Sequence, residues 1–77
     1  MKQIINGKLY DTNKIEFTHT LIDTDGSEYL IGKTSKGAIV ATDKDKKNIF
    51  GPEQTKILLG YRFPDTYIEL FGEVEEG

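Results

Sequence analysis

The sequence predicts an α+β fold: a small antiparallel sheet of three to four strands in a meander, followed by two short C-terminal helices packed on one face. Three observations predict it. Between Lys14 and Thr42, polar and apolar residues alternate with period two, interrupted by two glycine-bearing turn signals. From Gly51-Pro52-Glu53 onward the apolar spacing becomes helical. The order, strands first and helices after, is that of a sheet covered from one side.

Length and composition are compatible with this. The chain of 77 residues makes one small domain, residues 1–77, close to the lower size at which a core holds without staples, and no cysteine is present to supply one. No apolar run approaches the roughly 20 residues of a membrane-spanning helix. Residues 1–12 lack the hydrophobic stretch of a secretory signal. The expectation is a cytoplasmic protein with no membrane partner.

The chain opens with two β-like clusters, Gln3-Ile4-Ile5 and Lys8-Leu9-Tyr10, around Asn6-Gly7, a pair suited to the type I′ turn of a hairpin. Asp11-Thr12-Asn13 marks a second bend, through side-chain oxygens that bond nearby backbone. From Lys14, Ile15, Phe17, His19 and Leu21 fall on one strand face, with Glu16, Thr18, Thr20 and Ile22 on the other. Asp25-Gly26 then reads as a two-residue hairpin turn. That register sets Ile22 opposite Tyr29, Leu21 opposite Leu30, Thr20 opposite Ile31 and His19 opposite Gly32.

Thr34-Ser35-Lys36-Gly37 makes the next turn, with Gly37 in the left-handed position, and Ala38–Thr42 returns as the third strand. Residues 43–48 contain no apolar side chain and read as a solvated loop. Asn48-Ile49-Phe50 is either a short edge strand or a plug for the core. Pro52 suits the first turn of a helix and Glu53 its positive end, with Ile57, Leu58 and Tyr61 as the apolar stripe. Phe63-Pro64-Asp65 breaks this helix; Tyr67, Ile68 and Phe71 form the stripe of a second, which Gly72 ends. Residues 73–77 read as a frayed acidic tail.

No chemistry-bearing motif survives comparison with a structural reading. His19 is the sole imidazole, and no readable spacing sets a nucleophile or carboxylate beside it, so it reads as a structural residue at the sheet edge. Asp23–Glu28 invites a calcium loop. Placing Asp25-Gly26 at its fifth and sixth positions puts Leu21 first and Gly32 twelfth, and neither supplies a side-chain oxygen. The glycines never form a phosphate-cradling pattern. The chain therefore reads as a non-enzyme, with no catalytic residue, metal site or cofactor.

Charge divides the chain. Residues 1–63 carry ten Lys/Arg against eight Asp/Glu, whereas residues 64–77 carry Asp65, Glu69, Glu73, Glu75 and Glu76 and no basic residue. This acidic end is either solubilising or a contact surface for a protein with a basic face. The lysines are less concentrated. Lys33 and Lys36 belong to one end of the third strand, and Lys44, Lys46 and Lys47 to the other, roughly 20 Å away. They support only the alternative reading, a nucleic-acid-binding accessory or regulatory protein, and nucleic acid is the less favoured partner.

One sheet face, carrying Ile22, Tyr29, Ile31 and Val40 in this register, is either covered by the helices or left open. If open, it offers Tyr29 and Ile31 to a partner or to a second copy in a homodimer.

Ile4-Ile5-Asn6-Gly7-Lys8-Leu9-Tyr10-Asp11-Thr12 and Tyr67-Ile68-Glu69-Leu70-Phe71-Gly72 resemble the two ends of a group of small uncharacterised proteins from phages and mobile elements of Gram-positive bacteria. Gly26-Ser27-Glu28-Tyr29-Leu30 is similar to a strand in the middle of that group. Gly32–Gly37 departs from its usual glycine-rich turn, and the segment before the helices is shorter. The resemblance carries no site residues. It implies a protein-binding inhibitor of a host defence complex of the CRISPR type, with a defence nuclease as partner.

Overall fold

Turn chemistry sets the first pairing. Asn6 and Gly7 both take positive φ, 51° and 75°, as a type I′ turn demands, and close a hairpin of β1 (Lys2–Ile5) and β2 (Lys8–Asp11). The computed structural model describes residues 1–77. A single 3-10 turn, Thr12–Lys14, leads into a four-stranded antiparallel sheet. Its strands are β3 (Glu16–Ile22), β4 (Glu28–Lys33), β5 (Ile39–Asp43) and β6 (Ile49–Phe50), in that spatial order. The helices α1 (Pro52–Arg62) and α2 (Pro64–Phe71) complete an α+β domain. Neither is long and apolar enough to cross a membrane.

The register of the β3–β4 hairpin differs by one residue from the sequence expectation. Thr20 faces Leu30, Leu21 faces Tyr29 and Ile22 faces Glu28. The reason lies in the turn. A type I′ turn at Asp25-Gly26 needs two positive φ angles, but only Gly26 supplies one, at 89°. The chain instead forms a three-residue loop: Gly26 N–H donates to the Asp23 carbonyl, and Asp23 N–H donates to the Ser27 carbonyl at 2.8 Å. The β4–β5 turn repeats this arrangement between Thr34 and Ala38, with Gly37 as the left-handed residue. In the β3–β4 hairpin His19 faces Ile31 in the same register; a bulge between Phe17 and His19 then slips it by one, so that Phe17 faces Gly32.

The corrected register redistributes the faces. Tyr29 and Ile31 share a face with Ala41 and Leu21, and this is the face the helices cover. Ile31, Ala41 and Leu59 are fully buried there, with Tyr29 edge-on to Phe50 and Phe63 at ring separations of 6.2 and 6.1 Å. Ile31 is therefore a core residue, not a contact for a partner, and Tyr29 is half-buried beside it. Val40, on the opposite face, is also buried, in a second cluster with Ile15 and Ile49 roofed by Ile5 and Tyr10 of the amino-terminal hairpin. Of the four residues expected together on one open face, only Ile22 is exposed, at 65%.

The hairpin is thus a third layer. Its attachment is specific: the Gln3 side chain accepts the Ile49 N–H at 2.9 Å and donates to the Ile49 carbonyl at 3.1 Å. One amide side chain satisfies the outer edge of β6, which both pairs with β5 and plugs the core through Ile49.

The helices begin and end where expected, but their buried stripes differ. In α1, Thr55 and Leu59 are buried, whereas Ile57 and Tyr61 are 71% and 80% exposed. Thr55 hides its polarity by donating its hydroxyl to the Phe50 carbonyl at 2.9 Å, which lets an α1 residue without an apolar signature face the sheet. In α2, Tyr67 and Leu70 turn to the core, while Ile68 and Phe71 are only partly covered.

Candidate functional site

The acidic end is built on α2. Asp65 lies in its first turn, where a carboxylate complements the helix dipole. Glu73, Glu75 and Glu76 follow Gly72 in chain without helix or strand, all exposed. Glu69 bonds the His19 ring and Asp23 pairs with Arg62, whereas these four carboxylates have no internal cation. Val74, 60% exposed, stands among them, with the partly exposed Ile68 and Phe71 on the preceding helix. The arrangement is an anionic surface interleaved with apolar side chains.

Glu69 is different from its neighbours. Its carboxylate lies 2.7 Å from Nε2 of His19, and Nδ1 of the same ring lies 2.8 Å from the Thr18 hydroxyl. The fold therefore does set a carboxylate beside the imidazole, across 50 residues of chain that no local spacing could bridge. In a regular strand Thr18 and His19 would point to opposite faces; the bulge between Phe17 and His19 brings the two side chains together. A hydroxyl, an imidazole and a carboxylate in a row could relay a proton. The clefts beside β2, beneath the amino-terminal hairpin and between the β4–β5 turn and the helices are lined by other residues. The evident consequence of the row is to tie the edge strand to α2.

The Asp23–Glu28 loop is occupied by structural bonds. The Asp23 side chain, only 7% exposed, accepts the Thr24 N–H at 2.7 Å and Arg62 Nη1 at 2.6 Å, clamping the β3–β4 loop to the end of α1. Hydrogen bonding and charge from Asp23 raise the Arg62 pKa further above its ordinary value. The Asp25 carboxyl is held below its ordinary value, first by the Ser27 backbone N–H, which donates to it at 2.9 Å, and then by the Ser27 side chain. No group of three or more His, Cys, Asp or Glu side chains is placed to hold a metal ion.

The five loop lysines do not converge. Lys33 ends β4 and Lys36 tips the β4–β5 turn, whereas Lys44, Lys46 and Lys47 lie in the β5–β6 loop at the far end of β5. Lys46 folds back over the Phe17 ring, 4.9 Å from its centroid, which occupies its charge in a cation–π contact. Lys36 does acquire basic neighbours, but they are Lys8 and Lys14, which line the same cleft. Nothing in the sequence signals this grouping, because it depends on where the amino-terminal hairpin docks. No family model matches the chain, and no curated protein or solved structure matches it either.

Proposed function

We propose that this chain is a non-enzymatic protein-binding module whose contact surface is the acidic, partly apolar end formed by α2 and the residues that follow it. The observation that carries the reading is the set of four exposed, internally unpaired carboxylates, Asp65, Glu73, Glu75 and Glu76, interleaved with Ile68, Phe71 and Val74. Such a surface suits a partner with a basic face and an apolar depression. Its charge accelerates the encounter, and its apolar side chains contribute to retention.

A second copy is a poor occupant of this surface, because two ends of the same negative sign repel. The partner is a different protein. The resemblance to small phage and mobile-element proteins directs the choice toward a host defence nuclease, with this chain as its inhibitor. Glu69 acts in this scheme by holding α2 against β3 rather than by meeting the partner.

The test is capture from a Gram-positive host lysate at low salt, followed by association kinetics with the retained protein. The expected result is a basic partner whose association slows by about tenfold when Asp65→Asn, Glu73→Gln, Glu75→Gln and Glu76→Gln are combined. An unchanged association rate would exclude the acidic end as the contact surface.

A further inference from the structure

We propose that the cleft between β2 and the β4–β5 turn is a nucleotide-binding site, taking a ligand with a phosphate group and a flat aromatic body. The cleft has a volume of about 460 Å³, within the roughly 300–1,000 Å³ of small-molecule sites. Three ammonium-bearing residues from three separate segments line it: Lys8 on β2, Lys14 after the 3-10 turn's start, and Lys36 at the tip of the β4–β5 turn.

None of the three lysines is in an ion pair within the molecule. The one carboxylate on the cleft, Asp11, is turned to its own backbone and accepts the Asn13 N–H at 3.0 Å. Three ammonium groups against one carboxylate leave the cleft with a net positive charge. At the turn, Thr34 and Gly37 N–H groups donate within the loop, whereas those of Ser35 and Lys36 donate to no protein acceptor. Unbonded turn amides and three ammonium-bearing residues lining one cleft are donors of the kind that bind phosphate.

The other wall is apolar. Leu9, Tyr10 and Ala38 contribute to it: Leu9 is 63% exposed, while Tyr10, whose ring packs on the second core, is half-buried and offers only its remaining exposed part. An apolar and aromatic wall facing a cationic rim fits a base on one side and its phosphate on the other. An acidic peptide is the competing occupant of the lysines. It has no need of the Tyr10 wall, and it is distinguished in the test below. The site shares no residue with the acidic end, so each proposal stands or fails separately.

The experiment is an amide NMR titration of the full chain at low salt with AMP, adenosine, inorganic phosphate and a hexaglutamate peptide, each at millimolar concentration. AMP is expected to shift resonances in segments 8–15 and 34–38, and adenosine to leave them in place. Combining Lys8→Gln, Lys14→Gln and Lys36→Gln, all at exposed positions, is expected to weaken AMP binding by at least about tenfold. The spectrum of this variant outside the cleft reports that it remains folded. The proposal is overturned if AMP leaves those segments unmoved or if the triple variant binds AMP as tightly. An equal response to adenosine or inorganic phosphate, or a stronger one to hexaglutamate, overturns it as well.

Discussion

Glu69 and His19, 50 residues apart in the chain, meet at 2.7 Å and join the last helix to the edge strand of the sheet. This contact takes one carboxylate out of the acidic end and gives α2 a fixed position on the sheet. It is also partly exposed, with the Glu69 side chain 63% accessible, so its energetic contribution is screened. A double-mutant cycle with His19→Ala and Glu69→Ala is expected to give a small but measurable coupling of about 0.2–1 kcal/mol in chemical denaturation. A coupling indistinguishable from zero would show that the two side chains do not hold the helix.

The Gln3 side chain bonds both backbone groups of Ile49, a residue whose side chain is buried in the second core. Gln3→Ala leaves a partly buried N–H and C=O without partners and is expected to cost about 1–3 kcal/mol. Hydrogen exchange of the Ile49 amide is expected to accelerate more than that of the Ile31 amide, since Ile31 lies in the central strand under α1. Equal acceleration at both would mean that the hairpin is not attached at this point.

Two glycines should respond oppositely to alanine. A Cβ on Gly32 would lie 2.6 Å from Ile15 Cγ2 and 2.7 Å from the Glu16 carbonyl oxygen, a backbone atom that cannot swing aside. Gly32→Ala is expected to destabilise by about 1–3 kcal/mol. A Cβ on Gly60, inside α1, would meet only the Tyr67 ring at 3.6 Å, an ordinary contact. Gly60→Ala is expected to stabilise, by up to about 1 kcal/mol, through helix propensity. Thermal unfolding of the two variants side by side checks the contrast.

Asp25 carries a pH dependence of defined sign. Hydrogen bonds from Ser27 hold its folded-state pKa below the ordinary value of 3.8. Its ionised form therefore contributes stability that is fully present above that value and is lost as pH falls through the lower folded-state value. Asp25→Asn keeps an acceptor but removes the charge. The variant is expected to melt below the parent at neutral pH, and the gap to close under strongly acidic conditions. A gap that stays constant with pH would remove Ser27's bond to the carboxylate as its cause.

What the sequence by itself determined is the order and kind of the elements. Asn6-Gly7 specified a type I′ turn, Pro52 and Gly72 bounded the helical region, and alternation marked the strands, because each of these depends on backbone geometry within a few residues. Local pattern was insufficient where competing solutions differ by one residue. With only one positive φ, at Gly26, the β3–β4 loop lengthened, and that shift put Leu21 in place of Ile22 on the face that Tyr29 and Ile31 share under the helices. Thr55 was invisible as a core residue because its partner, the Phe50 carbonyl, is supplied by the fold.

The candidate sites divide in the same way. The acidic end was legible as composition, since its five carboxylates fall within the last fourteen residues with no basic residue among them. Tertiary structure alone decided that Glu69 belongs to His19 and that Lys8 and Lys14 join Lys36 around one cleft. Both groupings arise from docking a helix and a hairpin on opposite faces of the sheet, driven by burial of Leu59 on one side and of Val40 and Ile49 on the other. Side chains distant in sequence become neighbours only through that non-local burial, which no period or spacing records.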